Sequence, residues 1–295
     1  MADPRPSADL VDRSSELDGA IMAIGEPDTG KTSTLIEIAR RAVAKGKSVA
    51  LVDGDVAAST VGPATCVGLR YLRSEEDFAD LGSPDALRFV GSTSPEGVVL
   101  PFVVAVATLV EEAKGHVDLV LVDTTGVTSG VIGQTLKYHL AEMIKPVLVI
   151  AMRRGDELEP VVGMLRRFFS IRVAEADPLE DVIPMDPIQR QEARAAAFRV
   201  DLGDDPPKWR VQTTVFAPTL PVGFDKSRLH ELLVGVQDET GYCLGLGILE
   251  HNDGTVRVAT RHGDQMRGLR LGSLRVDPAT YATTKVRLRE LIFGV

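Results

Sequence analysis

The sequence predicts an α/β protein, a doubly wound, mostly parallel sheet followed by a small, mostly-β C-terminal domain. Three observations lead there. From about residue 19, short apolar runs alternate with segments of helical length and pattern. The apolar runs are continuous, as in strands covered on both faces of a parallel sheet. From Arg210 onward this rhythm gives way to short strands separated by turn residues. A chain of 295 residues, 44% apolar and 25% charged, has the composition of an ordinary globular protein and the length for one large and one smaller domain.

Residues 1–18 read as an N-terminal tail, either mobile or a short leading helix, and lack the apolar core of a signal peptide. Expected strands are Ala20–Ile24, Ser48–Val52, Leu87–Val90, Leu119–Val122 and Pro146–Ala151. Expected helices between them are Thr32–Ala44, Val103–Lys114, Ile132–Ile144 and Asp156–Phe168. The rhythm changes near residue 170. Residues 186–199, DPIQRQEARAAAFR, form a basic, helix-compatible segment, and GDDPPK at 203–208 is a linker signal. The first domain is therefore expected over 19–200 and the second over 210–295. In the second, Tyr242–Glu250 and Thr255–Thr260 flank a turn containing Asp253-Gly254, the pattern of a hairpin.

The net charge of −9 argues against bulk, non-specific coating of nucleic acid but leaves room for a local basic groove. Cys66 and Cys243 stand far apart in sequence, without a CxxC partner, so neither a disulfide framework nor a zinc site follows. A reducing, cytoplasmic setting is expected. The longest apolar stretch, residues 98–110, is too short to span a membrane.

Residues 25–32 read GEPDTGKT, directly after an apolar strand and before a helix. They match G-x-x-x-x-G-K-[ST] at Gly25, Gly30, Lys31 and Thr32. The residues of such a loop (Gly25, Glu26, Pro27, Asp28, Thr29, Gly30, with Ser33 at the helix start) wrap phosphate oxygens, helped by the helix N-terminus. Lys31 reaches the β- and γ-phosphates, and the Thr32 hydroxyl suits Mg²⁺. This is a P-loop nucleoside-triphosphate site. ATP is favoured, because Ala151–Asp156 supplies no guanine-reading N/T-K-x-D pattern.

Three further patterns bear on what receives the phosphate. Asp53 and Asp55 end the second strand, where one carboxylate can orient Mg²⁺ and the other accept a proton; the same Asp-Gly-Asp is also ordinary turn chemistry. Asp123 ends the apolar strand LVLVD, the Walker B pattern, and would lie near Mg²⁺ or the γ-phosphate. Arg190 and Arg194 share one helical face and either close over the transferring phosphoryl group or form a solvated basic face.

GEPDTGKT, VDGDVAASTVGPAT, FVGSTSPEG, VDTTGVTSG followed by LK and IKP, and RRGDELEP occur in this order. Together they resemble the polynucleotide 5′-hydroxyl kinase family of the mRNA 3′-cleavage factor and pre-rRNA-processing kinases, above all its shorter prokaryotic members. The resemblance spans roughly 20–200 and is looser beyond. It implies that Asp55 activates the 5′-hydroxyl of an RNA or DNA end. It implies that Thr124 and Gly126 adjoin the reacting phosphate, and that Arg190 and Arg194 are lid arginines. Mg²⁺ would be shared among Thr32, Asp53, Asp55 and Asp123. Lys31, Asp55, Arg190 and Arg194 would be the catalytic set. One departure stands out: the family's D-V-G-Q reads Asp55-Val56-Ala57-Ala58 here, which removes an amide and backbone room on the acceptor side. The expected function is an ATP-dependent polynucleotide kinase. The rivals are a non-catalytic ATP-binding scaffold in RNA processing and a deviant-Walker dimeric ATPase switch.

Overall fold

The computed structural model describes residues 8–178 and 184–294; residues 1–7 of the expected tail, 179–183 of the expected first domain and Val295 lie outside the described residues. In chain order, α1 (Ala8–Ser15), β1 (Gly19–Gly25), α2 (Lys31–Ala44), β2 (Val49–Gly54), β3 (Cys66–Leu72) and β4 (Ala86–Phe89) come first. α3 (Val99–Lys114), β5 (Leu119–Thr124), α4 (Gly130–Ile144), β6 (Leu148–Met152), α5 (Glu159–Phe168) and β7 (Arg172–Ala176) follow. The seven strands form one sheet in the order β4-β3-β2-β5-β1-β6-β7. β2, β5, β1, β6 and β7 are parallel, and β3 runs antiparallel between β2 and β4.

Both faces of the sheet are covered, which is why its central strands are apolar throughout. Ile21, Leu51, Leu121 and Ile150 pack with Leu35 and Ile38 of α2. Met22, Val52, Val122 and Val149 pack on the other side with Phe102 and Val106 of α3, Leu140 of α4 and Leu165 of α5. α1 lies on α2 through buried Val11, an Asp12–Arg41 ion pair of 2.6 Å and a 2.9 Å bond from Lys45 Nζ to Ser15 Oγ. Residues 8–15 thus take the helical reading of the leading segment.

Two strands escape the apolar-run signal. β3 reads CVGLRYL, with Gly68 and Arg70 breaking the run, as suits an antiparallel strand near the sheet edge. β7 reads RVAEA on the opposite edge, where Glu175 pairs with Arg153 at 2.7 Å and Arg166 at 2.8 Å. The parallel rhythm therefore runs one strand past residue 170.

α6 (Pro187–Leu202) follows, started by a capping box between Asp186 and Gln189 with proline in its first turn. The second sheet contains β8 (Lys208–Arg210), β9 (Phe216–Ala217), β10 (Leu232–Gln237), β11 (Cys243–Asn252), β12 (Thr255–Ala259), β13 (Gly268–Val276) and β14 (Thr283–Lys285), and α7 (Leu288–Phe293) closes the chain. Its order is β14-β13-β10-β11-β12-β8, with β9 against β13. The expected hairpin joins β11 and β12: Asn252 pairs with Thr255, while Asp253 (φ 49°) and Gly254 (φ 72°) are both left-handed, as the tightest hairpin turns require.

α6 ties the two sheets together. Phe198 and Leu202 are buried among Cys66 and Phe89 of the first sheet and Leu246 and Ile248 of the second, with Ala64 before β3 and Tyr281 before β14. The Leu246 N–H donates to an Asp201 carboxylate oxygen at 2.9 Å. Cys66 and Cys243 are both free thiols buried in this interface. The C-terminal half of α6 is thus anchored, while its N-terminal half extends toward the first sheet. Among the described residues no helix is long and apolar enough to cross a membrane.

Candidate phosphoryl-transfer site

β1, β2, β5 and β6 end at one edge of the sheet, where parallel α/β folds bind ligands. The register sets Asp53 beside Asp123 and Gly25 beside Met152. Everything expected of the site except the α6 arginines comes from this edge.

The phosphate loop turns into α2 at Gly30, whose left-handed backbone (φ 87°) excludes most other residues. Lys31 is buried, and its Nζ donates to the Glu26 carbonyl at 2.9 Å. Thr29 Oγ1 donates to the same carbonyl at 3.0 Å. Lys31 makes no ion pair among the described residues, so its charge curls back over the loop. Arg154 braces the loop from outside, donating to the carbonyls of Pro27 at 3.3 Å and Asp28 at 2.7 Å and pairing with Glu26 at 3.6 Å. Gly126 abuts the other side: a Cβ there would stand 2.5 Å from the Pro27 ring. Ser33 is exposed on the first turn of α2.

Thr32 Oγ1 donates to one Asp123 oxygen, and the Thr124 N–H donates to the other at 2.8 Å. Burial pushes the Asp123 carboxyl above its ordinary value, against the pull of Lys31 and the Thr32 hydroxyl. A hydroxyl and one carboxylate side by side suit Mg²⁺, which takes its remaining ligands from phosphate and water. With Lys31 and the start of α2, these residues fit a magnesium-bound triphosphate.

The two carboxylates at the end of β2 have different work. Asp53, expected among the metal ligands, has both oxygens taken by its own loop. One accepts the Asp55 N–H at 2.8 Å; the other accepts the N–H groups of Thr60 and Val61 (3.0 Å) and the Ser59 hydroxyl at 3.3 Å. Asp53 therefore organises the loop instead of facing a cation. Burial, then the charges of Asp123 and Asp55, push its carboxyl up to about 7, and the N–H groups of Asp55 and Val61 oppose this. Asp55 is half-buried. Its Oδ1 accepts the N–H groups of Ala57 at 3.1 Å and Ala58 at 3.3 Å. Its Oδ2 has no partner among the described residues.

Ala57 and Ala58 line a cavity of about 270 Å³ roofed by α6, with Asp28, Ser59, Ala64, Ala193 and both arginines in its wall. Arg190 pairs with Asp28 of the phosphate loop and donates to the Met185 carbonyl at 3.2 Å. Arg194 is half-buried, its Nε enclosed and unpartnered, and burial followed by the charge of Arg190 lowers its pKa. The α6 arginines thus lie over the phosphate loop and the Asp55 loop together.

Thr124, expected beside the phosphate, turns its hydroxyl inward. It donates to the Ala23 carbonyl at 2.7 Å and accepts from Lys137. Ser92 and Ser94 bond within their own loop, to the N–H groups of Ser94 (3.2 Å) and Glu96 (3.3 Å). Sequence reasoning passed over Arg154, Thr125 and Lys137. Their signals were present in RRGD at the end of β6, in the second threonine of DTTG, and in the LK pair on α4.

A family model described as mRNA cleavage and polyadenylation factor CLP1 P-loop matches residues 25–200. A polyribonucleotide 5′-hydroxyl-kinase of Pyrococcus horikoshii is 28% identical, the alignment covering 87% of this chain and 85% of that protein. One of Methanocaldococcus jannaschii is 27% identical, covering 87% of each. The solved structure of Clp1p in complex with Pcf11p superposes with a TM-score of 0.67 at 12% identity, covering 90% of this chain and 76% of that one, a likeness of fold. The ordered motifs, the sheet that aligns them and the match over most of the first domain make this chain a member of the CLP1 P-loop family.

Proposed function

We propose that this protein is an ATP-dependent polynucleotide kinase that moves the γ-phosphate of ATP to the 5′-hydroxyl of an RNA or DNA end. The observation that carries the reading is the unpartnered Oδ2 of Asp55, whose Oδ1 is held by the N–H groups of Ala57 and Ala58, two residues that line a cavity between the phosphate loop and the two α6 arginines. Asp55 takes the proton of the incoming hydroxyl, whose oxygen bonds to the γ-phosphorus as the bond to the β–γ bridging oxygen breaks and ADP leaves. Lys31 leaves the Glu26 carbonyl to hold the β- and γ-phosphates. Arg190 and Arg194 close on the charge that develops on the transferring group. Thr32 and Asp123 would hold Mg²⁺, which neutralises phosphate charge. The names of the relatives favour RNA as the acceptor. Two free buried thiols fit a cytoplasmic enzyme.

The scaffold alternative rests on Ala57 and Ala58. Their backbone N–H groups, not side chains, hold Asp55, so the loss of glycine and glutamine leaves the base in place. The dimeric-switch alternative gains nothing from α6, whose Arg190 pairs with Asp28 in the phosphate loop of the same chain. The test is incubation with γ-labelled ATP, Mg²⁺ and 5′-hydroxyl RNA and DNA oligonucleotides. Label is expected at the 5′ end, above all on RNA, and absent with Lys31→Ala. Tight ATP binding without label on either acceptor would turn the reading to the scaffold.

A further inference from the structure

α4 is seated directly on the loop that follows β5. A Cβ at Gly133 would stand 2.4 Å from the carbonyl carbon of Thr128, so the helix and loop touch backbone to backbone. One turn on, Lys137 is wholly buried. Its Nζ donates to Thr124 Oγ1 and to the Thr125 carbonyl, each at 2.8 Å. Both are neutral oxygens, and no carboxylate pairs with this ammonium among the described residues. The charged groups that face it are Lys31, Asp123 and Asp55. Burial, then the charge of Lys31, brings its pKa down to about 7. An ammonium buried without an ion pair is costly, and a methionine would fill the same space without that cost. Packing alone does not call for lysine here.

Thr125 supplies a second observation. It is 3% exposed; Lys137 holds its carbonyl, and its Oγ1 is enclosed with no hydrogen-bond partner. Its neighbour Gly126 touches Pro27 of the phosphate loop, so Thr125 sits between α4 and the phosphate site. Buried hydroxyls in folded proteins are nearly always paired, and an unpaired one beside a ligand site points to the ligand.

Resting on the kinase reading, we propose that Thr125 is a further catalytic residue, its hydroxyl donating to the γ-phosphate during transfer, and that Lys137 is the positioning residue that sets it. Lys137 acts through the Thr125 carbonyl and through Thr124, whose own hydroxyl is tied to β1 at Ala23. The hydroxyl keeps its proton throughout, and no bond to threonine forms. The phosphate gives the hydroxyl the partner that the fold does not.

The test is steady-state transfer to a 5′-hydroxyl oligonucleotide by Thr125→Val, Lys137→Met and the double variant, with ATP affinity and Tm measured on each. Thr125→Val removes a hydroxyl that bonds nothing in the fold, so Tm should hold. Removing one donor aimed at developing charge lowers kcat by about 10²-fold. That loss is expected with KM for ATP within about threefold. Lys137→Met should lose a similar factor, and the double variant should be no slower than Lys137→Met, because the two residues act as a unit. Wild-type kcat in Thr125→Val, or losses that multiply in the double variant, overturns the proposal. If Lys137→Met fails to fold, Thr125→Val decides alone. If the wild-type protein moves no phosphate to any oligonucleotide, the acceptor reading has failed. The same variants are then scored on ATP hydrolysis, where the same pattern supports the proposal and unchanged turnover overturns it.

Discussion

Replacing Asp55 by asparagine separates the chemistry of this residue from its place in the fold. In the native loop Oδ1 accepts the N–H groups of Ala57 at 3.1 Å and Ala58 at 3.3 Å, while Oδ2 faces no protein donor. An asparagine has one acceptor oxygen and one amide nitrogen. The two N–H donors select the orientation with its oxygen in the Oδ1 position, which leaves the NH₂ where the base was. The loop bonds survive, so the change in stability should stay within about 0.5 kcal/mol, the range for substitutions that break no buried contact. Charge repulsion also falls, since Asp55 raises the carboxyls of both Asp53 and Asp123. The base is lost, and general-base catalysis contributes roughly 10²–10⁴ in rate, or about 2.7–5.5 kcal/mol of barrier. Single-turnover transfer of labelled γ-phosphate, ATP binding by calorimetry and thermal unfolding make the three readouts. Transfer within threefold of wild type would refute the assignment of Asp55 as base. A large drop in Tm would refute the account of how the loop holds it.

Lys31→Ala should abolish ATP binding in the same calorimetric assay, because no other lysine is expected to reach the β- and γ-phosphates; measurable affinity near wild type would remove the phosphate-loop assignment. Arg194→Ala should slow transfer by at least about tenfold, and by roughly 10³-fold or more if it acts as arginine fingers do, with Tm held; wild-type rates would return α6 to a solvated basic face. Stability of the ligand-free protein should pass through a minimum near pH 7. Asp53 has a folded pKa of about 7, above its unfolded value of 3.8, so the folded state holds a proton that the unfolded chain gives up. Its contribution is full below about pH 4 and is lost as pH rises toward 7. Lys137 has a folded pKa of about 7, below its unfolded value of 10.5, so its contribution grows as pH rises from 7 toward 10. Tm measured from pH 5 to 10 tests this: a profile without the dip would contradict it, and Lys137→Met should flatten the alkaline limb.

Much of this protein can be read in one dimension, because its signals are contiguous. An apolar strand, GEPDTGKT and a helix require a phosphate loop wherever the segment folds, since backbone N–H groups and a helix start do the binding. VDGD and LVLVD similarly place carboxylates at strand ends beside it, and DPIQRQEARAAAFR carries its own capping signals. The hairpin at Asp253-Gly254 follows from two left-handed residues in sequence. What could not be read is which atom of each residue remains free. Asp53 and Asp55 are the same residue type two positions apart. One is saturated because residues 55–61 fold back onto it, and the other keeps an open oxygen. Thr124 and Thr125 are adjacent and identical, yet Ala23 and Lys137 take the first hydroxyl and leave the second unpaired. β3 and β7 lack apolar continuity because each lies toward an edge of the sheet, where one face or one flank is less enclosed. Hydrogen-bonding capacity is filled by partners from distant segments, so residue type and spacing name the chemistry, while packing assigns it to particular atoms.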